Sequence, residues 1–211
     1  AFDVNIAGTF NVLEACVNNN VEKLVYSSSA SVYGDAVEVP MTENHPFNNK
    51  NFYGASKIAG EAMCTAFNHR YGLSVIGLRY MNVYGPRQIC KGKMATVIGI
   101  FEDQYLKKKP LTVVKPGSQS RRFTHIDDTI EICYLAWRKN KCRHYSISNR
   151  VSYSILDVAK MFKRKIKFLK KRPGERYASA LTNMNLSNKV YKYFGKKRLK
   201  DYINQIIDDD N

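Results

Sequence analysis

No apolar run in this 211-residue sequence approaches the roughly 20 residues needed to cross a bilayer, and no charged-apolar-small signal segment opens it. No membrane association is expected. The five cysteines (Cys16, Cys64, Cys90, Cys133, Cys142) are odd in number, widely spaced and without a C-x-x-C pair. The four histidines (His45, His69, His125, His144) show no metal-ligand spacing either. A disulfide framework and a zinc site are therefore disfavoured, no metal is expected, and reduced thiols fit a cytoplasmic protein. Internal repeats, low-complexity stretches, RGG tracts, zinc-finger spacing and RNP-type aromatic motifs are missing. The 12 glycines never fall into G-x-x-G-x-x-G, the turn that offers backbone N–H groups to a dinucleotide pyrophosphate. Acids are scarce in one place: between Arg138 and Lys200 only 2 stand against 20 basic residues.

What is present is a globular composition. Apolar residues make up 44% and charged residues 25%, enough to bury a core, which excludes a wholly disordered chain. The length suits one compact domain, or one domain with a small lobe. The first residue is Ala1, and residues 2–16 already have the pattern of a domain's middle, so a missing N-terminal piece is expected. The net charge of +16 is concentrated in the basic stretch, because the remainder of the chain is close to −2. Such a surface attracts nucleic acid, anionic lipid or a polyphosphate, and equally suits a solvated lysine-rich face. With no nucleic-acid motif to sharpen it, nucleic-acid binding is a distant third reading.

Ile6, Phe10, Leu13 and Val17 recur at three- and four-residue intervals, which predicts an amphipathic helix ended by Asn18-Asn19-Asn20. Lys23-Leu24-Val25-Tyr26-Ser27 predicts a buried strand, with Ser28 to Gly34 as the loop leaving its C-terminal end. Residues 35–52 are irregular. Tyr53 to Tyr71 carries Ala55, Ile58, Ala59, Ala62, Met63, Ala66 and Phe67, a long helix with a wide apolar face, stopped by Gly72. A second strand follows over 73–80. Strand, crossover helix and strand make a parallel βαβ unit. Helices are expected over 94–106, from an Asp127 or Asp128 cap to Trp137, and over 154–162 and 186–194. Short strands are expected over 111–114 and 144–148. The class is α/β with an appended smaller lobe.

Two features carry chemistry. Tyr53 and Lys57 stand four apart on one helix and share a face. An ammonium there favours the phenolate and pulls the tyrosine pKa down from about 10, which makes a general base. Ser27-Ser28-Ser29 leaves the C-terminal end of a parallel strand, where open α/β sheets bind ligands. Each alone is weak, since a Y-x-x-x-K pair arises by chance and a serine run is usually a turn. In the order serine loop, irregular insert, then Y-x-x-x-K at the head of a helix, they reinforce one another.

The stretch from Val25 through Ser27-Ser28-Ser29-Ala30-Ser31 to Val32-Tyr33-Gly34, then Tyr53 and Lys57, then Leu78-Arg79-Tyr80-Met81-Asn82-Val83-Tyr84-Gly85-Pro86-Arg87, carries a specific resemblance. With Asn5-Ile6-Ala7-Gly8-Thr9 at the front and Pro173-Gly174-Glu175 near the end, the chain resembles the NAD-dependent epimerase/dehydratase family of extended short-chain dehydrogenases/reductases. Within it, the UDP-glucose (UDP-galactose or UDP-N-acetylglucosamine) 4-epimerases are most similar. The resemblance implies a Rossmann-like doubly wound parallel sheet, here lacking its N-terminal part, with a smaller C-terminal substrate-binding lobe. Residues 1–85 are then the latter part of the NAD-binding domain, with 124–148 returning to it, and 86–123 with 149–211 form the sugar-nucleotide lobe. Because the family opens on the glycine-rich turn, on the order of 60–90 residues are expected ahead of Ala1. The 211 residues alone are expected to be an inactive fragment.

The same resemblance implies roles. Tyr53 is the base, and Lys57 binds the nicotinamide ribose and tunes it. Ser29 bonds the sugar 4-hydroxyl. Asn5, Ser27 and Tyr80 lie on the cofactor side. Asn82 lies near the sugar nucleotide, Arg121 and Arg172 grip its diphosphate, Glu175 holds the nucleotide ribose and Ser179 lines the hexose pocket. Guanidinium forks suit a pyrophosphate because paired N–H donors meet paired oxygens. A small residue at Ser179 implies tolerance of an N-acetyl group. Related dehydratases and decarboxylases carry an acid in the serine loop, and Ser29-Ala30-Ser31 has none, which favours epimerisation. The implied partners are a UDP-sugar and a second copy of the chain, through the opening helix and the Tyr53–Tyr71 helix. Duller alternatives remain for each residue: a surface Asn5, a turn at Asn82, solvated arginines.

Overall fold

The computed structural model describes residues 1–34, 37, 45–49, 51–92, 94–139, 143–170 and 195–210. A π-helical turn, Phe2–Ala7, runs into α1 (Gly8–Asn18), followed by β1 (Lys23–Ser29) and a short 3-10 turn, Ala30–Tyr33. Then come α2 (Phe52–Tyr71), β2 (Ser74–Tyr80), β3 (Val83–Tyr84), α3 (Val97–Leu106), β4 (Leu111–Val114), β5 (Ser120–Arg122) and β6 (Thr124–His125). The chain continues through α4 (Ile126–Lys139), β7 (Arg143–Ile147), β8 (Ser152–Ser154), α5 (Ile155–Met161), β9 (Ile166–Leu169) and α6 (Leu199–Asp209). The predicted helix over 186–194 lies outside the described residues. Two compact units are distinguished.

The first unit holds Ala1–Met81 and Ile130–Ile147. Its sheet has the order β1-β2-β7, all parallel, with Lys23 opposite Ser74 and Ser29 opposite Tyr80 in the first pair. The crossover from β1 to β2 is α2, as a parallel pair requires. Asn51 starts α2 by accepting the Gly54 N–H at 2.8 Å, and Gly72 ends it at φ +72°. The apolar stripes of α1 and α2 meet the sheet through Leu13, Cys16, Cys64 and Phe67 against Tyr26, Leu73 and Val75. Each fully buried aliphatic side chain among them contributes roughly 1.5–3 kcal/mol. This packing holds β1 against the C-terminal half of α2.

The second unit holds Asn82–Thr129, 148–170 and 195–210 among the described residues. Its strands form short ladders, β3 with β6 and β4 with β9 in parallel and β5 with β8 antiparallel. Phe101, Leu111, Val113, Val158 and Phe162 make its core, and α6 closes on it with Leu199 and Ile203. Helix α3 begins at Val97 rather than at 94, because Thr96 accepts the Gly99 N–H at 3.1 Å and sets the start.

Asp127 and Asp128 are not the caps that the helix start suggests. Both lie inside the first turn of α4, and His125 Nδ1 accepts the Asp127 N–H at 3.2 Å. Asp128 instead receives the backbone N–H groups of Lys196 and Lys197, each at 3.0 Å, while Asp127 pairs with the Lys197 ammonium. The two acids tie a distant segment to α4, which a local pattern cannot show.

Candidate active site

Ser29 ends β1 and caps the 3-10 turn: its Oγ accepts from the Ser31 N–H at 3.2 Å and from the Ser31 hydroxyl at 2.8 Å. Among the described residues nothing accepts the Ser29 proton, so that hydroxyl keeps a donor. The turn is held close to α2. Asn49 Nδ2 donates to Ser31 O at 2.8 Å, and a Cβ built on Gly54 would stand 2.5 Å from that carbonyl. Only glycine after Tyr53 permits this approach. Gly34, at φ +63°, closes the loop beyond.

Tyr53 is 44% exposed on the first turn of α2, and its hydroxyl has no protein partner among the described residues. Lys57 lies one turn on, its ammonium 6.0 Å from the Tyr53 ring and 5.4 Å from the Tyr26 ring. Lys57 donates to Ser27 O at 3.0 Å. Burial draws its pKa below the ordinary lysine value. Two of its three donors are left for a ligand. Asn5 donates to Ser56 Oγ at 2.9 Å, and Ser56 in turn donates to Tyr53 O at 2.7 Å, so Asn5 is bonded to the first turn of α2. Ser27 Oγ and Tyr80 Oη are 3.3 Å apart, with Cys133 Sγ 3.2 Å from the same phenol. Burial raises the Tyr80 pKa, and the Cys133 contact adds to it. The first unit thus brings together Asn5, Ser27, Ser29, Tyr53, Lys57 and Tyr80.

In the second unit, Asn82 and Arg121 line one cavity of about 280 Å³ with Val97, Phe101, Thr112 and Leu169. Asn82 sits at φ +44° and donates to Arg122 O at 2.9 Å, so it is a strand-end turn as well as a cavity residue. Arg121 Nη1 donates to Ser120 O at 2.8 Å. Arg172, Glu175 and Ser179 lie outside the described residues.

A buried charge network was not anticipated. Glu61, two turns after Tyr53, and Arg79, the next-to-last residue of β2, are each 3% exposed and pair bidentately, Nε to Oε1 at 2.8 Å and Nη2 to Oε2 at 2.7 Å. Ser28 Oγ donates to Glu61 Oε1 at 2.5 Å, and Arg79 Nη1 donates to Tyr33 Oη at 3.0 Å. Burial alone would lower the Arg79 pKa, but the bonds and charge of Glu61, with Tyr33, outweigh it and hold the guanidinium charged. The available signal was a lone arginine inside an apolar strand, which demands a buried partner.

A parallel α/β sheet with hydroxyls at the C-terminal end of a strand, beside a helix that carries a phenol and an ammonium, has the arrangement of a Rossmann-like nucleotide-binding fold. Residues 1–148 match the model of the NAD dependent epimerase/dehydratase family, and the chain belongs to that family. A putative UDP-glucose 4-epimerase of Methanocaldococcus jannaschii is 36% identical over 182 residues, covering 83% of this chain and 59% of that protein. The UDP-glucose 4-epimerase of Thermotoga maritima, solved with UDP-glucose, superposes with a TM-score of 0.90 at 25% identity, over 98% of this chain and 69% of that one. The UDP-glucuronic acid 4-epimerase of Bacillus cereus, solved with UDP-glucuronic acid and NAD, gives 0.87 at 29%, over 98% and 67%. The chain spans about three fifths or less of the length of the curated relatives it matches. The family is NAD-dependent. The unspent donors of Lys57 and the unbonded Tyr53 phenol suit the ribose end of that cofactor, while no glycine-rich turn for its pyrophosphate occurs in the 211 residues. Among the described residues no helix is long and apolar enough to cross a membrane, and no acid, His or Cys cluster could hold a metal.

Proposed function

We propose that the chain is the acid–base and sugar-nucleotide-holding part of a nucleotide-sugar 4-epimerase. Its substrate is a UDP-hexose, UDP-glucose and UDP-galactose or their N-acetyl forms, inverted at C4 through a 4-keto sugar. The carrying observation is an unbonded phenol and an ammonium one turn apart, beside a hydroxyl loop that contains no acid. The likeness to proteins named as 4-epimerases of UDP-sugars supports this.

Tyr53, with the Lys57 ammonium one turn along α2, takes the proton of the sugar 4-hydroxyl while Ser29 donates to the same oxygen. NAD, when bound, supplies the hydride exchange at C4, and Lys57 holds its ribose with Asn5, Ser27 and Tyr80 nearby. Once the keto sugar has turned its other face, Tyr53 returns the proton. No acid from Ser27 to Tyr33 is placed to expel water, so dehydration is not favoured. Asn82 and Arg121 hold the nucleotide part, the arginine on the diphosphate. Arg172, Glu175 and Ser179 complete that set as the resemblance implies. A second copy pairs through α1 and α2, whose Phe10 and Tyr71 are 43% and 56% exposed on either side of Phe67.

The test is Tyr53→Phe in protein expressed from the complete gene, with UDP-sugar interconversion followed by NMR. Turnover is expected to fall on the order of 10²–10⁴-fold while UDP-sugar binding persists. Unchanged turnover would overturn the assignment. Net consumption of reduced nicotinamide would move the chain to the 4-reductases.

A further inference from the structure

A buried ion pair is a poor stabiliser. Withdrawing both charges from water offsets most of their attraction, and well-packed apolar replacements of similar volume are often as stable or more so. Glu61 and Arg79 are both buried, so their presence needs another reason. The geometry around them supplies one.

Tyr53, Lys57 and Glu61 follow one another at four-residue steps along α2 and share its sheet-facing side. Two adjacent residues of β1 meet two of these three. Ser27 O accepts from Lys57 at 3.0 Å, and Ser28 Oγ donates to Glu61 at 2.5 Å, one helical turn further on. The strand end is thereby pinned to the helix at two heights. Arg79 is the register partner of Ser28 across the parallel pair, and it locks the same carboxylate from β2. Its third bond reaches Tyr33 Oη, and its guanidinium lies 4.9 Å over the Tyr33 ring. Tyr33 is fully buried and ends the 3-10 turn that starts at Ser29. Ser29 therefore sits between two anchors of one network, Ser28 just before it and Tyr33 four residues after it.

We propose that Glu61 and Arg79 are positioning residues, whose bonds to Ser28 and Tyr33 fix the Ser29 hydroxyl against the face of α2 that carries Tyr53 and Lys57. This rests on the roles given above to Ser29, Tyr53 and Lys57. An oily pair of the same size would fill the space without directing either hydroxyl. A misplacement of about 1 Å caused by residues away from the chemistry is enough to slow an enzyme on the order of 100-fold.

The test uses protein expressed from the complete gene. The double variant Glu61→Leu/Arg79→Met keeps the volume apolar and is expected to unfold at or above the parental midpoint. Its kcat is expected to fall on the order of ten- to a hundredfold with KM for the UDP-sugar unchanged. Ser28→Ala and Tyr33→Phe each leave the ion pair in place and are expected to show the same split to a smaller extent. Apart from turnover, exchange of the Ser31 N–H, which donates to Ser29 Oγ, is expected to quicken in the double variant. If the double variant fails to fold, the two single variants decide. A stable double variant, or both single variants, with parental kcat while Tyr53→Phe is inactive would overturn the positioning role alone. Parental turnover in Tyr53→Phe would instead remove the catalytic assignment and this proposal with it.

Discussion

Ser28 and Arg79 face each other across the β1–β2 pair and donate to one and the same oxygen, Oε1 of Glu61, at 2.5 and 2.8 Å. A helix and two strands therefore meet on a single carboxylate. Breaking that meeting from one side should be far worse than removing it whole. Arg79→Met leaves the Glu61 charge buried with its strongest partner gone, and a loss of about 3–5 kcal/mol is expected from urea unfolding. The Glu61→Leu/Arg79→Met pair should recover that loss in full.

His125 links stability to pH. Burial lowers its pKa below the ordinary imidazole value, with the Lys197 charge acting the same way and Asp127 and Asp128 opposing. The unfolded chain then binds the proton more tightly than the folded one. The stabilisation from neutral His125 is complete above about pH 6.5 and is lost as pH falls from there through the folded value. Thermal midpoints measured from pH 7 to pH 5 should drop less in His125→Asn, which keeps an acceptor near the Asp127 N–H.

Asp128, 4% exposed, holds the entrance to α6 through two backbone N–H groups. A hydrogen bond to a charged group contributes about 1.5–3 kcal/mol. Asp128→Ala is expected to destabilise by at least about 2 kcal/mol, with faster amide exchange at Lys196 and Lys197. Asp127→Ala, which loses an exposed pair with Lys197 and a longer contact to His125, should leave both nearly unchanged at neutral pH.

Gly54→Ala would set a methyl 1.8 Å from Asn49 Nδ2 and 2.5 Å from Ser31 O. The asparagine side chain can swing aside, but the carbonyl belongs to the serine turn. A cost of about 1–3 kcal/mol is expected, together with reduced turnover that Asn49→Ala does not restore. Denaturation and kinetics on the single and double variants measure both.

Phe10→Glu places a charge between α1 and α2, where Phe10 meets Phe67 edge to face at 5.6 Å. If this face joins two copies, sedimentation at micromolar concentration should show the variant shifted to monomer while its circular dichroism is retained. An unchanged association state would move the interface elsewhere.

Much of the first unit was legible from periodicity. The apolar run Leu24-Val25-Tyr26 and the 3.6-residue stripe of Ile58, Met63 and Phe67 mark β1 and α2, and Gly72 marks where α2 stops. Tyr53 and Lys57 were legible because four residues on a helix is a spatial statement. Glu61 continues the same spacing, yet nothing local distinguishes a buried acid from a solvated one. Asp127 and Asp128 misled for a related reason: acids at a helix start suit the macrodipole whether or not they also hold a remote chain.

The sequence by itself determined the parallel βαβ unit, the tyrosine–lysine pair and the absence of an acid from the serine loop, because each depends on neighbours within one turn or one strand. Tertiary structure alone decided that Glu61 meets Arg79, that Asp128 grasps residues 196 and 197, and that Gly54 lies against Ser31. Those contacts join residues 18, 68 and 23 positions apart. Burial chooses such partners, since a charge or carbonyl removed from water must find its match wherever the packed chain brings one.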